Sequence, residues 1–316
     1  MDLKQLEYFR HVAELGSFTR AASFLSVVQP ALSRQVRQLE IELGQSLFER
    51  NGRGVVLTAA GTRLLEHARG ILTQIGRVRQ DLEDQRNGDT GHVALGLPPS
   101  LGRCVTVPLV HAFKVHLPNA GLATVEALST NILEWLTVGR VDCALVYNAA
   151  PAPAVDLEPL WDDQLFLIAP RTEDAVRKAA RKSITLVQLA DYPLIIPGRP
   201  HATRMCIENA LAGVGRRIRI AHEIESIPAM IDLVRQGYGY AVFPMYAIRA
   251  NEYVDEIAVR PILAPMLRNS LSLATSAQRP KGPLLRRALD VIRDTVRRQI
   301  RGAEKPGKTT PSLETA

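Results

Sequence analysis

Long apolar segments are missing from this sequence of 316 residues. Its uninterrupted apolar runs fall well short of the ~18 residues that a membrane-spanning helix needs. The opening stretch "MDLKQLEYFRHV" carries acidic residues, and it has neither the apolar core nor the small-residue cleavage site of a signal peptide. We therefore expect a cytoplasmic protein that has no membrane partner.

Residue patterns that hold metals or catalyse reactions are also scarce. The three cysteines, Cys104, Cys143 and Cys206, are far apart, odd in number and without metal-ligand spacing. The seven histidines are scattered, and we find no phosphate-binding loop or nucleophile elbow. The sequence thus argues against an enzyme, a metal site and a cofactor. We expect buried thiols in a reducing compartment, with a redox switch at Cys206 as the alternative.

The excess of positive charge lies in one segment near the C-terminus. The formal net charge is +7, and residues 279–308 hold ten basic against three acidic side chains, which accounts for all of it. The overall charge is therefore no argument that the N-terminal part binds nucleic acid. We expect this segment to be a solvated helix face followed by a disordered end, with a secondary contribution to DNA affinity as the alternative.

Three short helices are predicted before Gly44. Apolar residues recur at helical spacing up to Gly16, and the next residues supply caps for a second helix over about residues 19–26. Pro30 suits the first position of a third helix, which Gly44 ends. The buried stripe of that third helix is predicted to comprise Leu32, Val36, Leu39 and Leu43.

Small polar and basic side chains occupy the front of the third helix, away from its apolar stripe. In a helix-turn-helix protein this end enters the major groove, where arginine bonds guanine edges and glutamine reads adenine. A short serine there lets the backbone approach phosphate. The alternative is that these side chains face solvent in an ordinary three-helix domain. The predicted DNA-contacting residues of the two helices are Thr19, Gln29, Pro30, Ser33, Arg34 and Arg37.

A β-hairpin is predicted directly after the third helix. The segment "SLFERNGRGVVLT" alternates apolar and polar residues around a glycine-rich tip. A hairpin in this place is a wing, and we expect Arg50 and Arg53 at its tip to contact flanking phosphates. The wing reduces the weight of the ordinary three-helix interpretation.

The segment over residues 18–61, "FTRAASFLSVVQPALSRQVRQLEIELGQSLFERNGRGVVLTAAG", resembles the LysR-type transcriptional regulators. It departs from their pattern only mildly, at residues 27–28 in the turn and at residues 45–46 before the wing. The resemblance extends to about Arg301, and it implies a winged helix-turn-helix, a linker helix and a two-lobed α/β effector domain that resembles periplasmic binding proteins. Within the family, "VALGL", "GRVDCALVY" and "EIESI" look most like the group that contains the nitrogen assimilation control protein.

A seven-residue apolar repeat follows the wing. Thr58 caps the next helix, and apolar residues then recur in steps of 4, 3, 4, 3 and 4. Such a strict seam favours pairing with a second copy of the chain, because a helix lying on a globular surface drifts toward a period of about 3.6. The alternative is packing against its own winged domain. The seam residues are Leu64, Ala68, Ile71, Ile75, Val78 and Leu82.

From His92 onwards, short apolar strands alternate with helices, which predicts a two-lobed α/β domain with a parallel sheet. The strand "SLSLATS" and a helix over Pro283–Ile300 are expected to return to the first lobe. The predicted domains are a winged helix-turn-helix (1–58), a linker helix and hinge (59–90), an effector domain (91–301) with lobe I at about 91–162 and 267–301 and lobe II at about 163–266, and a disordered tail (302–316).

Open α/β sheets bind ligands beyond the carboxyl ends of their strands. Polar residues follow several such ends here, beside helix N-termini that favour anions, and Arg199 is suited to hold a carboxylate. The alternatives are that Ser100 and Thr130 cap helices and that Arg199 is a surface residue; whether Ser129 or Thr130 meets the effector stays open. The candidate residues for a small, anionic effector are Ser100, Leu101, Ser129, Thr130, Arg199, His201, Thr203 and Ser226.

Together these features predict a sequence-specific, DNA-binding transcriptional regulator whose effector changes the arrangement of an oligomer. The resemblance implies a homodimer or homotetramer on upstream sites with an interrupted palindrome of T and A. The expected partners are double-stranded DNA, further copies of the chain, the small-molecule effector and RNA polymerase. A solute-binding or sensor module without specific DNA recognition is the alternative, because the two lobes alone do not require DNA.

Overall fold

The computed structural model describes residues 1–50, 54–87, 90–171, 183–250 and 253–304. The chain divides into two compact units, which are residues 1–88 with 137–140 and the remainder. Among the described residues, no helix is both long and apolar enough to cross a membrane.

Three helices open the first unit: α1 (Leu3–Leu15), α2 (Phe18–Phe24) and α3 (Gln29–Leu43). The side chains of Asp2 and Ser17 cap α1 and α2 by accepting backbone N–H bonds. Gly16 and Gly44 end α1 and α3 in the left-handed conformation, both at φ 62°, which glycine adopts without a Cβ clash. The bounds of α2 differ from the predicted range of about 19–26, because the helix begins one residue earlier and ends two residues earlier.

An antiparallel hairpin and a long helix follow. These elements are β1 (Phe48–Arg50), β2 (Val55–Leu57) and α4 (Ala59–Asn87). The ring of Phe48 lies 5.3 Å from that of Phe9 and 5.6 Å from that of Phe18, so aromatic packing fixes the hairpin on the helices. The Val55 N–H donates to the Gly16 carbonyl oxygen at 3.2 Å. The hairpin is therefore bonded to the turn between α1 and α2.

The apolar stripe of α3 is buried over most of its length. Leu32, Val36 and Leu39 are at most 1% exposed, and they pack with residues of α1 and α2. Leu43 was predicted to complete the stripe, but it is 39% exposed. It is the last residue of α3, where Gly44 turns the chain away, so the prediction was wrong for this residue.

The second unit begins with alternating strands and helices. These are β3 (Gly91–Leu97), α5 (Pro99–His116), β4 (Ala120–Glu126), α6 (Ser129–Thr137) and β5 (Cys143–Tyr147). β3 pairs in parallel with both β4 and β5, as the sequence predicts. All five residues of β5 are buried, which explains its continuous apolar run.

The remaining elements build the second lobe and return to the first. In chain order they are β6 (Val155–Pro170), β7 (Ile184–Thr185), α7 (Leu186–Leu189), β8 (Pro193–Ile196), α8 (Ala202–Gly213), β9 (Arg219–Glu223), α9 (Ile227–Arg235), β10 (Ala241–Pro244), α10 (Met245–Arg249), a 3₁₀ turn (Val254–Glu256), β11 (Ile257–Leu263), β12 (Arg268–Ser276) and α11 (Pro283–Glu304).

The strand β6 belongs to both lobes. Its first part pairs antiparallel with β12, which also pairs with β5, and its second part pairs with β10 and β11. The main sheet has the order β4-β3-β5-β12-β6-β11-β7, and β8 with β9 forms a separate parallel pair. One continuous strand of 16 residues thus connects the lobes.

The last helix is longer than predicted. α11 continues to Glu304, so residues 302–304 are helical instead of belonging to a disordered tail; residues 305–316 lie outside the described residues. Ala288, Ile292 and Val296 of α11 are fully buried in a core cluster that also holds residues of the second lobe. α11 is therefore an amphipathic helix whose apolar stripe packs into the core of the second unit.

Candidate DNA interface and effector site

The front of α3 presents its polar residues to solvent. Gln29, Pro30, Arg34 and Arg37 are exposed, and Ser33 is half-buried. Thr19 is exposed on α2. Since the opposite stripe of α3 is buried against α1 and α2, the helix is held on one face and free on the other, as a recognition helix requires.

The two arginines of α3 make no polar side-chain contact with other described residues. Within the part of the chain that the structure describes, neither Arg34 nor Arg37 makes a salt bridge or a side-chain hydrogen bond. Several arginines of the second unit, by contrast, are held by carboxylates or carbonyl oxygens. The exposed guanidinium groups of α3 are thus available to a base edge or a phosphate.

Glu40 positions the wing relative to α3. Its carboxylate accepts the backbone N–H of Leu47 at 2.8 Å and that of Phe48 at 3.3 Å. The hairpin begins at Phe48, so one side chain of α3 caps the incoming strand. The sequence analysis missed Glu40, because the signal is only a lone acid on an otherwise polar and basic face.

The two predicted wing contacts are only partly described. Arg50 ends β1, although its side chain lies outside the described residues. Arg53 and the tip of the hairpin over residues 51–53 also lie outside them. The contact of both arginines with phosphate therefore stays a prediction.

The apolar repeat of α4 divides between two uses. Ala68 is fully buried with Leu6, Phe9 and Leu65 in the core of the first unit, and Leu64 packs at its edge. Ala68 thus follows the alternative interpretation, packing against its own domain. Further along, Ile71 is 38% and Val78 57% exposed, while Ile75 is half-buried and the side chain of Leu82 lies outside the described residues. The exposed part remains available for a second copy.

The basic charge of α11 is largely used within its own unit. Arg293 binds Glu158 through two bonds of 2.7 and 2.8 Å, Arg287 donates to the His116 carbonyl oxygen at 3.1 Å, and the Arg301 guanidinium lies 5.4 Å from the centre of the Trp161 ring. These contacts neutralise or occupy the cations. The geometry therefore favours a structural role over a contribution to DNA affinity.

The carboxyl end of β5 brings several predicted effector residues together. The Tyr147 N–H donates to Ser129 Oγ at 3.0 Å. The Tyr147 hydroxyl meets the Tyr246 hydroxyl in a short hydrogen bond, and the Tyr246 and Ser100 hydroxyl oxygens lie 3.5 Å apart. Ser100 is the second residue of α5, which Pro98 precedes as the cap residue; its hydroxyl therefore serves this chain of bonds and not the helix end.

The same strand end is linked to the second lobe. Asn148 follows β5 in a left-handed conformation at φ 50°, which asparagine tolerates better than most residues. Its side-chain amide donates to Asn269 Oδ1 at 2.9 Å, and Asn269 donates to Thr203 Oγ1 at 3.0 Å. Ser100, Ser129 and Thr203 are thus connected through residues at the end of β5, and we call this set, with Tyr147, Asn148, Tyr246 and Asn269, the β5-end cluster.

Two members of the β5-end cluster, Tyr147 and Tyr246, are buried tyrosines. The Tyr147 hydroxyl donates to Asp163 at 2.8 Å, and Asp163 is 2% exposed. The pKa of Tyr147 lies well above its ordinary value of 10.0, mainly because the phenol is buried and to a smaller extent because Tyr246 and Asp163 are its neighbours. Burial and Asp163 likewise raise the pKa of Tyr246. Both phenols are therefore neutral at physiological pH.

Three further candidates occupy helix N-termini. His201 caps α8, with Nδ1 accepting the Thr203 N–H at 3.3 Å, and burial lowers its pKa although Glu225 opposes this. Ser226 caps α9 by accepting the Ala229 N–H at 3.5 Å. Thr130 is exposed and donates to its neighbour Asn131 at 3.1 Å. Of the two hydroxyls left open by the sequence, Ser129 joins the β5-end cluster.

Two candidates have other partners within the protein. Leu101 is fully buried in the core, and its N–H donates to the Pro98 carbonyl oxygen; its contact with an effector stays a prediction. Arg199, predicted to hold a carboxylate, forms an ion pair with Glu208 at 2.7 Å. The same carboxylate also binds the buried Arg204 at 2.9 Å. Burial alone raises the pKa of Glu208, but hydrogen bonds from Arg204 and Arg199 lower it overall.

The cysteines are poor candidates for redox chemistry. All three are free thiols, of which Cys143 is buried and the other two are half-buried. Burial raises the pKa of Cys104, with a smaller effect of Asp163, and burial also raises the pKa of Cys206. A reactive thiol needs the opposite shift. No group of three potential metal ligands is found among the described residues.

Comparison with known proteins identifies both units. A family model described as "Bacterial regulatory helix-turn-helix protein, lysR family" matches residues 3–62. A second, described as "LysR substrate binding domain", matches residues 86–297.

Full-length relatives match almost the whole chain. A nitrogen assimilation regulatory protein of Klebsiella aerogenes is 31% identical over 304 residues, which cover 94% of this chain and 96% of that protein. The solved structure of a full-length OxyR variant from Pseudomonas aeruginosa is 26% identical, covers 94% of this chain and 95% of that one, and has a TM-score of 0.70. Full-length CbnR complexed with its target DNA is 25% identical, covers 93% of this chain and 100% of that one, and also has a TM-score of 0.70.

Proposed function

The chain belongs to the LysR family of DNA-binding transcriptional regulators, and we propose that the leading turn of α3 reads DNA while the β5-end cluster responds to a small anionic effector. The helix-turn-helix match over residues 3–62 leaves no support for the alternative of a solute-binding module without DNA recognition. The similarity to a nitrogen assimilation regulatory protein agrees with the subgroup that the sequence resembles.

One observation carries the proposed DNA contact. Arg34 and Arg37 are exposed on α3 and, within the described residues, have no competing ion pair, while the opposite face of the helix is buried. Charged groups left free on a rigid element need no rearrangement before they bind. We assign base contacts to Gln29 and Arg34, and we assign phosphate contacts to Thr19, Ser33, Arg37, Arg50 and Arg53.

The effector proposal rests on neutral donors and helix N-termini. The β5-end cluster offers hydroxyl and amide groups at the N-termini of α5, α6 and α8, and these ends favour a negative charge. Arg199 has no part in this proposal, because Glu208 already neutralises it. We infer that a small carboxylate-type anion binds through Ser100, Ser129, Thr130 and Thr203, with His201 and Ser226 at the edge.

The proposed mechanism uses an oligomer. Two paired copies, joined through the exposed part of the α4 repeat, present two recognition helices to half-sites about one DNA turn apart. Effector binding shifts a homodimer or homotetramer between two arrangements and thereby changes the DNA bend. The protein then acts on RNA polymerase in the cytoplasm and catalyses no reaction itself.

Selection of bound fragments from genomic DNA tests the proposed function. The purified chain is expected to enrich a small set of duplexes over competitor at moderate ionic strength, and genes beside them would indicate the effector. DNA bending is then measured with and without a panel of small mono- and dicarboxylic acids. Absence of any preferred duplex would refute the DNA assignment. A DNA bend that no acid changes from its value without acid would refute the anionic effector.

A further inference from the structure

Val28 occupies the cap position of α3 without acting as a cap. It precedes Gln29 with extended backbone angles, φ −76° and ψ 133°, and its side chain makes no capping hydrogen bond. In the same unit Asp2 and Ser17 cap α1 and α2 through their side chains. Serine, threonine, asparagine and aspartate are the residues that stabilise a helix at this position, and valine does not. Stability of α3 therefore does not explain the valine.

Packing does not explain Val28 either. Its side chain is 70% exposed, whereas the preceding Val27 packs against the core cluster of α1, α2 and α3. The Val27 N–H donates to the Ala22 carbonyl oxygen at 3.0 Å, which fixes the turn. The "VV" pair thus places one valine against the core and directs the other into solvent beside the first turn of α3.

The backbone of this turn reduces the need for a capping side chain. Pro30 has no N–H to satisfy, and the Ala31 and Leu32 N–H groups donate to the Val28 carbonyl oxygen at 3.1 and 3.3 Å. The helix start is thus satisfied by the backbone, although a serine at position 28 would still accept the Ala31 N–H, as Ser17 accepts a backbone N–H at the start of α2. The position is consequently open to a side chain selected for contact with a partner.

We propose that Val28 is a specificity-determining residue that contacts the C5-methyl group of a thymine in the major groove. The inference rests on the proposed function, in which the leading turn of α3 enters that groove. Thymine is the base that presents a methyl group there, and apolar side chains read it by contact. Next to Val28, Gln29 offers the amide that pairs with adenine.

The test uses the full chain and duplexes selected by it from a randomised library. Each thymine of a selected duplex is replaced in turn by deoxyuridine, which keeps the base pair and removes only the methyl group. One thymine of each half-site is expected to lose about fourfold in affinity on replacement, as for removing one buried methyl group. For Val28→Ala the same replacement is expected to have little effect.

Two further variants separate this role from folding. Val27→Ala, which truncates the half-buried neighbour, is expected to lower the Tm but to retain the fourfold preference for thymine. Val28→Ser is expected to keep or raise the Tm, and yet to lose that preference.

Two results would overturn the Val28 proposal, namely insensitivity of the unmodified chain to uracil at every thymine, or a full thymine preference in Val28→Ala. If the unmodified chain selects no duplex at all, the proposed function fails first, and that outcome is distinguishable from the other two.

Discussion

The Glu40 carboxylate accepts the Leu47 backbone N–H at 2.8 Å and thereby joins α3 to the wing. Glu40→Ala leaves this donor and that of Phe48 without their acceptor. We expect the free energy of unfolding to fall by about 1–3 kcal/mol, measured by urea denaturation. Glu40→Gln retains an acceptor oxygen and should lose less; equal losses for the two variants would show that the hydrogen bonds contribute little.

Arg34 is expected to read a base. Arg34→Ala should cost roughly 1–3 kcal/mol in binding at the selected site and should relax the preference at one base pair. Affinities for the selected duplex and for random DNA are compared by fluorescence anisotropy. If both fall equally, Arg34 contacts only phosphate.

Arg53 is expected to act without regard to sequence. Arg53→Ala should weaken binding to selected and random duplexes alike and reduce the slope of log K against log salt by about 0.9. Titrations at several salt concentrations measure this slope. An unchanged slope would remove the tip of the wing from the interface.

The hydrogen bond between Tyr246 and Ser100 joins α10 to the first turn of α5. Tyr246→Phe removes the phenol hydroxyl, which also bonds Tyr147, and Ser100→Ala removes the serine hydroxyl. Because either change frees the same contact, we expect both variants to shift the DNA bend and footprint in the absence of effector, and to the same arrangement. Footprints that match the unmodified chain in both variants would exclude this bond as a determinant of the resting state.

Acid is expected to weaken the contact between α11 and β6. Hydrogen bonds from Arg293 lower the pKa of Glu158 below its ordinary value of 4.5, although burial opposes them. The ionised carboxylate therefore stabilises the fold fully above pH 4.5, and this contribution is lost as the pH falls through the lower folded-state pKa. Once the pH is below the folded-state pKa of Glu158, the unfolding free energies of the unmodified chain and of Arg293→Met should converge. A constant difference would show that the ion pair is not its source.

Sequence patterns were sufficient where one periodicity dominated. The anchored stripe of α3, the hairpin and the parallel β3–β4–β5 arrangement follow from apolar spacing and turn residues. The rule that polar residues at strand ends form sites selected Ser100, Ser129 and Thr203. It applies equally to Tyr147, which ends the apolar run "CALVY", and to Asn148, which follows it. These two residues were within reach of the same argument.

Contacts between distant segments were not predictable from spacing. Arg199 was assigned to a ligand because an exposed guanidinium after a strand has no visible partner in sequence, whereas folding places Glu208 beside it. In α4, Ala68 fits both the seam and a stripe offset by one position, and only tertiary packing decides between them. Asp163 and Tyr246 meet Tyr147 from separate strands and helices, so no local pattern relates them.

The bond from Val55 to Gly16 has a consequence for how new operators can be acquired. With β2 bonded to Gly16 and the start of β1 held by Glu40, the described strands of the wing are fixed to the three helices of one copy. A change in the length of one half-site therefore has no flexible joint to absorb it. Relatives that bind other operators should therefore differ in the surface side chains of α3 and the wing and not in their arrangement. A different spacing between half-sites should be accommodated where two copies of the chain meet.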